Sequence, residues 1–232
     1  MGVGAYILAG GKSRRFGSDK ALAMVEGRPL IARLADRVRP HVARVTVVAE
    51  RVDKYAHLGL RTIGDVVAGL GPLGGLRTAL EDMEGAGGQS PRSSSQPRPS
   101  SHPRPSPRPS PGVPGEGERG VPGEGEEGDG WLLLVSCDLL TFQADWLEVL
   151  LRHRSAGARA VAFKPDVWQP LLALYHRSIR PCVLAHLATD DRSMQSLLND
   201  VGAVEAPLPA DWPAVLGANR PEDLPRTAGL GD

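Results

Sequence analysis

The chain has 232 residues, with 27 basic and 27 acidic side chains and a formal charge of zero. That length fits one domain with a real core. The absence of a basic block with interleaved aromatics argues against a nucleic-acid polymer as partner. Two cysteines, Cys137 and Cys182, are too few for a disulfide framework or a cysteine zinc site, and they suit a reduced, cytoplasmic compartment. No apolar run approaches the ~20 residues of a membrane span, and the N-terminal run lacks the length and basic flank of a signal peptide. The expectation is a soluble protein without a membrane partner.

In chain order, VGAYILA (3–9) reads as a buried strand. It is followed by LAGGKSRRFGSDK (8–20), whose Gly-Lys-Ser looks like the end of a P-loop. That motif requires a further glycine where Tyr6 stands, so the loop is not a Walker A sequence. PLIARLADRVRP (29–40) carries helical spacing at Leu30, Leu34 and Val38, with Pro29 at the start. RVTVVAE (44–50) is β-branched and strand-like, and LRTIGD (60–65) is a shorter strand ending in Asp65. GPLGGLRTALEDME (71–84) reads as a glycine turn feeding a helix.

Composition then changes. Residues 85–130 are rich in proline, serine, arginine and glycine and end in an acidic near-repeat, VPGEGERG then VPGEGEEG. Such a segment buries too little apolar surface to offset the entropy of ordering, so it reads as a disordered insertion within a single domain spanning 1–232. A docking segment for a PxxP-reading partner is the alternative. Beyond it, WLLLVSCD (131–138) is too apolar for an edge strand, DWLEVLLRHR (145–154) is a helix and ARAVAF (158–163) a strand. This alternation predicts an α/β fold: a Rossmann-like, mainly parallel sheet with helices on both faces.

In such sheets ligands gather at the carboxyl ends of the strands. Four features end there: the 8–20 loop, Asp65, the Gly71–Gly75 turn with Gly74 inside it, and Asp138. Gly10, Gly11 and Gly17 let the loop backbone approach phosphate oxygens, and Arg14, Arg15 and Lys20 can neutralise their charge. Asp138 could hold Mg²⁺ or cap the next helix. Asp65 could face a ribose, a base or the metal. Cys137 reads as a small buried hydrophobe. No Gly-x-Gly-x-x-Gly follows the first strand, which excludes a dinucleotide-binding oxidoreductase of the usual kind.

LAGGKSRRFGSDK resembles the L-A-G-G-x-x-x-R-[MF]-G-x-D-K signature of NTP-transferase-like nucleotidyltransferases, and among them the molybdenum cofactor guanylyltransferases. GRPLIARLADRV, Asp65 after a strand, GPLGG, a Cys-Asp pair ending an apolar strand, and NRPEDL near the C-terminus follow in the family's order. Leu139-Leu140-Thr141 stands where the family usually has x-Pro-[Phe/Tyr]. The resemblance implies transfer of GMP from GTP to the phosphate of molybdopterin, with Mg²⁺ as cofactor and pyrophosphate released. It further implies GTP and molybdopterin as the partners, with transient contacts to other proteins of the same pathway. Carried over by position, Leu8, Ala9 and Gly10 would touch the nucleotide and Lys20 its phosphates; from the chemistry of the loop, Gly11 would join the nucleotide site and one of Arg14 or Arg15 would help hold the triphosphate. Asp65 would belong to the nucleotide site, Asp138 would bind metal and nucleotide, and Asn219 would lie near the metal and the pterin. A cytidylyltransferase on the same pterin, a sugar- or alcohol-phosphate nucleotidyltransferase, and a nucleotide-binding regulatory protein with weakened turnover stay open as alternatives.

Overall fold

The computed structural model describes residues 2–10, 19–66, 69–86, 130–213, 217–218 and 223–224. Its strands are β1 (Gly4–Leu8), β2 (Met24–Val25), β3 (Arg28–Pro29), β4 (Arg44–Ala49), β5 (Thr62–Gly64), β6 (Trp131–Ser136), β7 (Ala160–Phe163), β8 (Leu172–His176) and β9 (Val204–Ala206). Its helices are α1 (Leu30–Val38), α2 (Gly71–Ala86), α3 (Ala144–Arg152), α4 (Arg180–Leu187) and α5 (Met194–Asp200). The described residues form one seven-stranded sheet in the order β5-β4-β1-β6-β8-β7-β9.

Central position and composition go together. Leu132, Leu133, Leu134 and Val135 are all fully buried, because β6 pairs in parallel with β1 on one side and antiparallel with β8 on the other. Side chains alternate across the sheet with the two-residue period of a strand. Ala5 and Ile7 join Leu133 and Val135 in the core under α1 and α3, which includes Ile31, Leu34 and Trp146. Tyr6 and Leu8 join Leu132 and Leu134 in the core under α2, α4 and α5, which includes Leu76, Leu80 and Leu197.

The expected alternation holds from β1 to β7, with segment ends that shift by no more than two residues. The sequence reading assigned no element beyond Phe163, where the structure adds β8, α4, α5 and β9, and two features depart from simple alternation. β8 runs antiparallel to both neighbours, since the short 164–171 connection turns the chain straight back after β7, with Gln169 N–H bonded to the Phe163 carbonyl. β2 and β3 form a small hairpin whose two-residue turn places Glu26 at φ 49° and Gly27 at φ 76°. Positive φ at both central residues matches the twist of a hairpin.

The helix after β5 begins at Gly71 itself, so GPLGG lies within the start of α2 instead of preceding it as a turn. Gly75 explains the composition there: a Cβ at that position would stand 2.8 Å from Leu8 Cδ2. Glycine lets the helix close on the end of β1. The insertion expected at 85–130 falls almost wholly outside the described residues. The elements on its two sides are α2 and β6, and Leu76 and Leu80 of α2 share one core with Leu132 and Leu134 of β6.

A polar cluster ties α2 to the sheet. Asp82 accepts hydrogen bonds from Tyr6 Oη (2.9 Å) and from Arg61 Nη1 and Nη2 (2.9 and 2.6 Å), and Arg44 donates to the Tyr6 oxygen at 3.0 Å. Burial opposes ionisation of Asp82, but the Arg61 and Tyr6 bonds and the nearby arginine charges outweigh it and hold the carboxyl below its ordinary value. Burial, followed by the Asp82 charge, pushes the Tyr6 phenol up to about 12, so it stays a donor.

A carboxyl depressed in the folded state contributes stability above its unfolded value of ~3.9 and loses it as pH falls through the folded value. Asp82→Asn is therefore expected to cost about 1–3 kcal/mol near neutral pH, measured by urea unfolding. The gap between variant and wild type should shrink below about pH 4. A gap independent of pH would contradict this reading of the cluster.

Candidate active site

Three chain segments meet at the carboxyl ends of β1 and β6. Leu8 pairs with Ser136 at the last step of the ladder, and the Cys137 N–H continues it by donating to the Leu8 carbonyl at 3.0 Å. Asp138 therefore emerges beside the end of β1. Its neighbours hold the turn: Leu139 N–H donates to the Ser136 carbonyl at 3.1 Å, and Ala218 N–H donates to the Asp138 carbonyl at 3.0 Å. Asp138 does not cap the next helix, because that place in α3 belongs to Gln143.

Lys20 reaches this carboxylate. Its Nζ lies 2.7 Å from Asp138 Oδ2, with 13 % and 27 % of the two side chains exposed. Lys20 opens a single 3₁₀ turn, Lys20–Leu22, capped by Asp19, whose carboxylate accepts from Ala21 N–H at 3.1 Å. Ala21 is buried beneath it, and the Ala23 carbonyl accepts from Leu30 N–H, joining the turn to α1. The structure thus joins two residues 118 positions apart that the sequence marked separately.

On the other side of β1, the Ala9 N–H donates to the Val48 carbonyl at 2.9 Å. Leu8 and Ala9 are buried, and Gly10 is exposed, with no atom of the described residues within 4 Å of where a Cβ would stand. Asp65 follows β5, two strands from β1. At the usual strand spacing it stands about 10 Å across the sheet from the end of β1. Its N–H donates to the Ala49 carbonyl at 2.7 Å, and Thr78 Oγ of α2 donates to Asp65 Oδ1 at 2.9 Å. The Gly74 carbonyl lies within reach of the same hydroxyl, at 3.1 Å. Gly74 is buried in α2 and so serves the helix that orients Asp65. Gly11, Arg14, Arg15 and Asn219 lie outside the described residues.

Several contributors had no role in the sequence reading. Asp19 was legible as a polar residue before a turn. Thr78, which orients Asp65, carried no signal in a helix of ordinary composition. Gly217 and Ala218 arrive from the C-terminal segment, where Leu139 and Gly217 form an isolated antiparallel bridge. A Cβ at Gly217 would stand 3.2 Å from the Asp138 carbonyl oxygen and 3.3 Å from Oδ1. That segment is anchored by Trp212, whose ring packs on Trp146 and Phe163 at centroid distances of 5.4 and 4.9 Å. Asp211 accepts from Trp146 Nε1 at 3.0 Å.

In place of the family's proline, Leu140 has its carbonyl held by Arg37 Nη1 of α1 at 2.9 Å. Cys137 packs against the core under α1, and burial, reinforced by the Asp138 charge, pushes its thiol up to about 12. It is a thiol and not a nucleophile at neutral pH. A cavity of about 760 Å³ lies between α1 and the 140–144 segment, bounded by Leu30, Arg33, Arg37 and Phe142 and not lined by Lys20, Asp65 or Asp138.

As for chemistry, the site offers one carboxylate paired to one ammonium at adjacent strand ends, with a second carboxylate across the sheet. Among the described residues no group of three or more His, Cys, Asp or Glu side chains converges as a metal cage, and no helix is long and apolar enough to cross a membrane.

Residues 5–205 match the family described as the MobA-like NTP transferase domain. The probable molybdenum cofactor guanylyltransferase of Deinococcus radiodurans is 30 % identical, covering 98 % of this chain and 95 % of that one. The molybdenum cofactor guanylyltransferase of Serratia proteamaculans is 25 % identical over 97 % and 93 %. Among solved structures, molybdopterin-guanine dinucleotide biosynthesis protein A of Archaeoglobus fulgidus superposes with a TM-score of 0.63 at 18 % identity, covering 95 % of this chain and 94 % of that one. A 4-diphosphocytidyl-2C-methyl-D-erythritol synthase does so with a TM-score of 0.57 at 12 % identity, over 96 % and 95 %. The family match spans most of the chain and the solved structures share its fold, and the chain belongs to the MobA-like NTP transferase family.

Proposed function

We propose that this chain is a molybdenum cofactor guanylyltransferase, transferring GMP from GTP to the phosphate of molybdopterin. The observation that carries the reading is the Lys20–Asp138 pair at the adjacent ends of β1 and β6, in a chain whose guanylyltransferase relative matches it end to end. A phosphate oxygen of molybdopterin attacks the α-phosphorus of GTP. A new P–O bond forms, the bond to the β-phosphate oxygen breaks, and pyrophosphate leaves. A phosphate monoester is largely ionised near neutral pH, so the attacking oxygen needs no general base. Catalysis then rests on placement and on neutralising the charge that develops.

The loop backbone from Leu8 through Gly10 and Gly11 lies against the nucleotide, and Gly10 has room for a ligand to approach. Lys20 exchanges the Asp138 carboxylate for phosphate oxygens and places a compact positive charge on them, with Arg14 and Arg15 as further neutralising groups. Asp65, fixed by Thr78, faces the nucleoside across the sheet. Asp138 fits a cation: its carboxylate already holds the Lys20 ammonium, and Mg²⁺ binds through one or two carboxylates completed by substrate phosphates. Bound there, Mg²⁺ supplies charge neutralisation at the phosphate oxygens. Asn219 follows Ala218, whose N–H is bonded to Asp138, which supports a place for it on the metal and pterin side.

Lys20→Ala and Asp138→Ala are each expected to lower guanylyl transfer by ~10²-fold or more, read as pyrophosphate released from GTP in the presence of molybdopterin. Near-normal turnover in both variants would overturn the assignment. Cys137→Ala is expected to keep transfer within about twofold of wild type, as befits a thiol that does not ionise near neutral pH. A loss matching that of Lys20→Ala would place chemistry on the sulfur.

A further inference from the structure

We propose that Tyr55 is a positioning residue for Lys20, acting through the Asp19 carboxylate. The inference rests on the nucleotidyltransferase reading, in which Lys20 meets the phosphates.

Tyr55 is fully buried in the connection between β4 and β5, and its hydroxyl donates to Asp19 Oδ2 at 2.9 Å. Lys54 Nζ reaches the same oxygen at 2.7 Å, and Glu50 at 3.0 Å. The other oxygen, Asp19 Oδ1, takes the Ala21 N–H and caps the turn that Lys20 opens. One carboxylate thus has one oxygen committed to the sheet side and the other to the backbone of the turn. Rotation of Asp19 breaks one bond or the other, so its orientation is fixed from both ends. Asp19 and Lys20 are adjacent, so the backbone of residue 19 sets the direction in which the Lys20 side chain leaves.

The anchor itself is rigid. Asp53, at φ 58°, presents its carbonyl to the Ala56 N–H. The Tyr55 carbonyl accepts from Leu58 N–H at 3.0 Å, and β4 and β5 pair in parallel on either side. Burial raises the Tyr55 phenol above its ordinary value, so it remains a donor. Burial disfavours the charge on Lys54, but the bonds to Asp19 and Glu50 more than restore it.

A phenylalanine at position 55 would fill the same apolar space, so the hydroxyl is the part of Tyr55 that the core does not require. A buried phenol needs an acceptor, and a purely structural account has Asp19 serving Tyr55. The positioning account runs the other way, and the two differ in what they do to phosphate recognition.

The test compares GTP with GMP by isothermal titration in the presence of Mg²⁺, on wild type, Tyr55→Phe, Lys20→Ala and the double variant, with thermal unfolding alongside. In Tyr55→Phe the preference for GTP over GMP should fall about five- to tenfold, the size of one hydrogen bond's ordinary net contribution. GMP affinity should hold, and the substitution should add nothing in the Lys20→Ala background. Lys54→Met, which removes the other bond to Asp19 Oδ2, should move the preference the same way. If Tyr55→Phe and Lys54→Met lower only the melting temperature, or weaken GTP and GMP equally, Tyr55 is structural and the inference fails while the nucleotide site stands. If Lys20→Ala leaves the GTP preference intact, Lys20 does not meet the phosphates, and the reading beneath the inference fails with it.

Discussion

The site depends on the register between β1 and β6. Because Leu8 lies opposite Ser136, the chain leaves β6 two residues later with Asp138 beside the point where the glycine-basic loop begins. A shift of one residue would turn every side chain of β6 to the other face. That shift is prevented by burial on both sides: each of Leu132, Leu133, Leu134 and Val135 contributes about 1.5–3 kcal/mol of apolar burial. The Lys20–Asp138 contact is a charged hydrogen bond of about 1.5–3 kcal/mol between groups still partly open to solvent. The magnitudes divide the labour. A charged ligand can open the pair without disturbing the strands that present it.

Three other chain segments refine that placement. Arg37 fixes the Leu140 carbonyl after Asp138. The C-terminal return, wedged by Trp212 against Trp146 and Phe163, lays Gly217 and Ala218 along Asp138. The β4–β5 connection holds Asp19 through Tyr55 and Lys54. Asp138 and the root of the loop are thus fixed by contacts that span the chain.

Much of this was legible in the sequence because apolar runs and helical spacing report burial. The runs of β1, β4 and β6 marked strands, and Asp65 and Asp138 stand just after β5 and β6. The antiparallel β8 was not legible: LALYH is a short apolar run that reads the same in either direction, and its sense is set by the short connection that precedes it. Residues 194–200 had a local signal, Ser193 as an N-cap, that went unread beside the stronger strands. The Lys20–Asp138 pair and the Asp19–Tyr55 bond link positions 118 and 36 residues apart, and no periodicity encodes contacts of that kind. Gly75 looked like a turn residue, whereas it and Gly217 each stand against a close neighbour, Leu8 and Asp138 respectively.

The most direct test of the account is a titration of the purified protein with GTP, CTP and ATP in the presence of Mg²⁺, repeated on Asp138→Ala. The account predicts selective binding of GTP that the substitution abolishes. Selective binding of CTP would contradict the guanylyl assignment while keeping the site, and no nucleotide binding at all would contradict the enzyme reading and leave the fold alone.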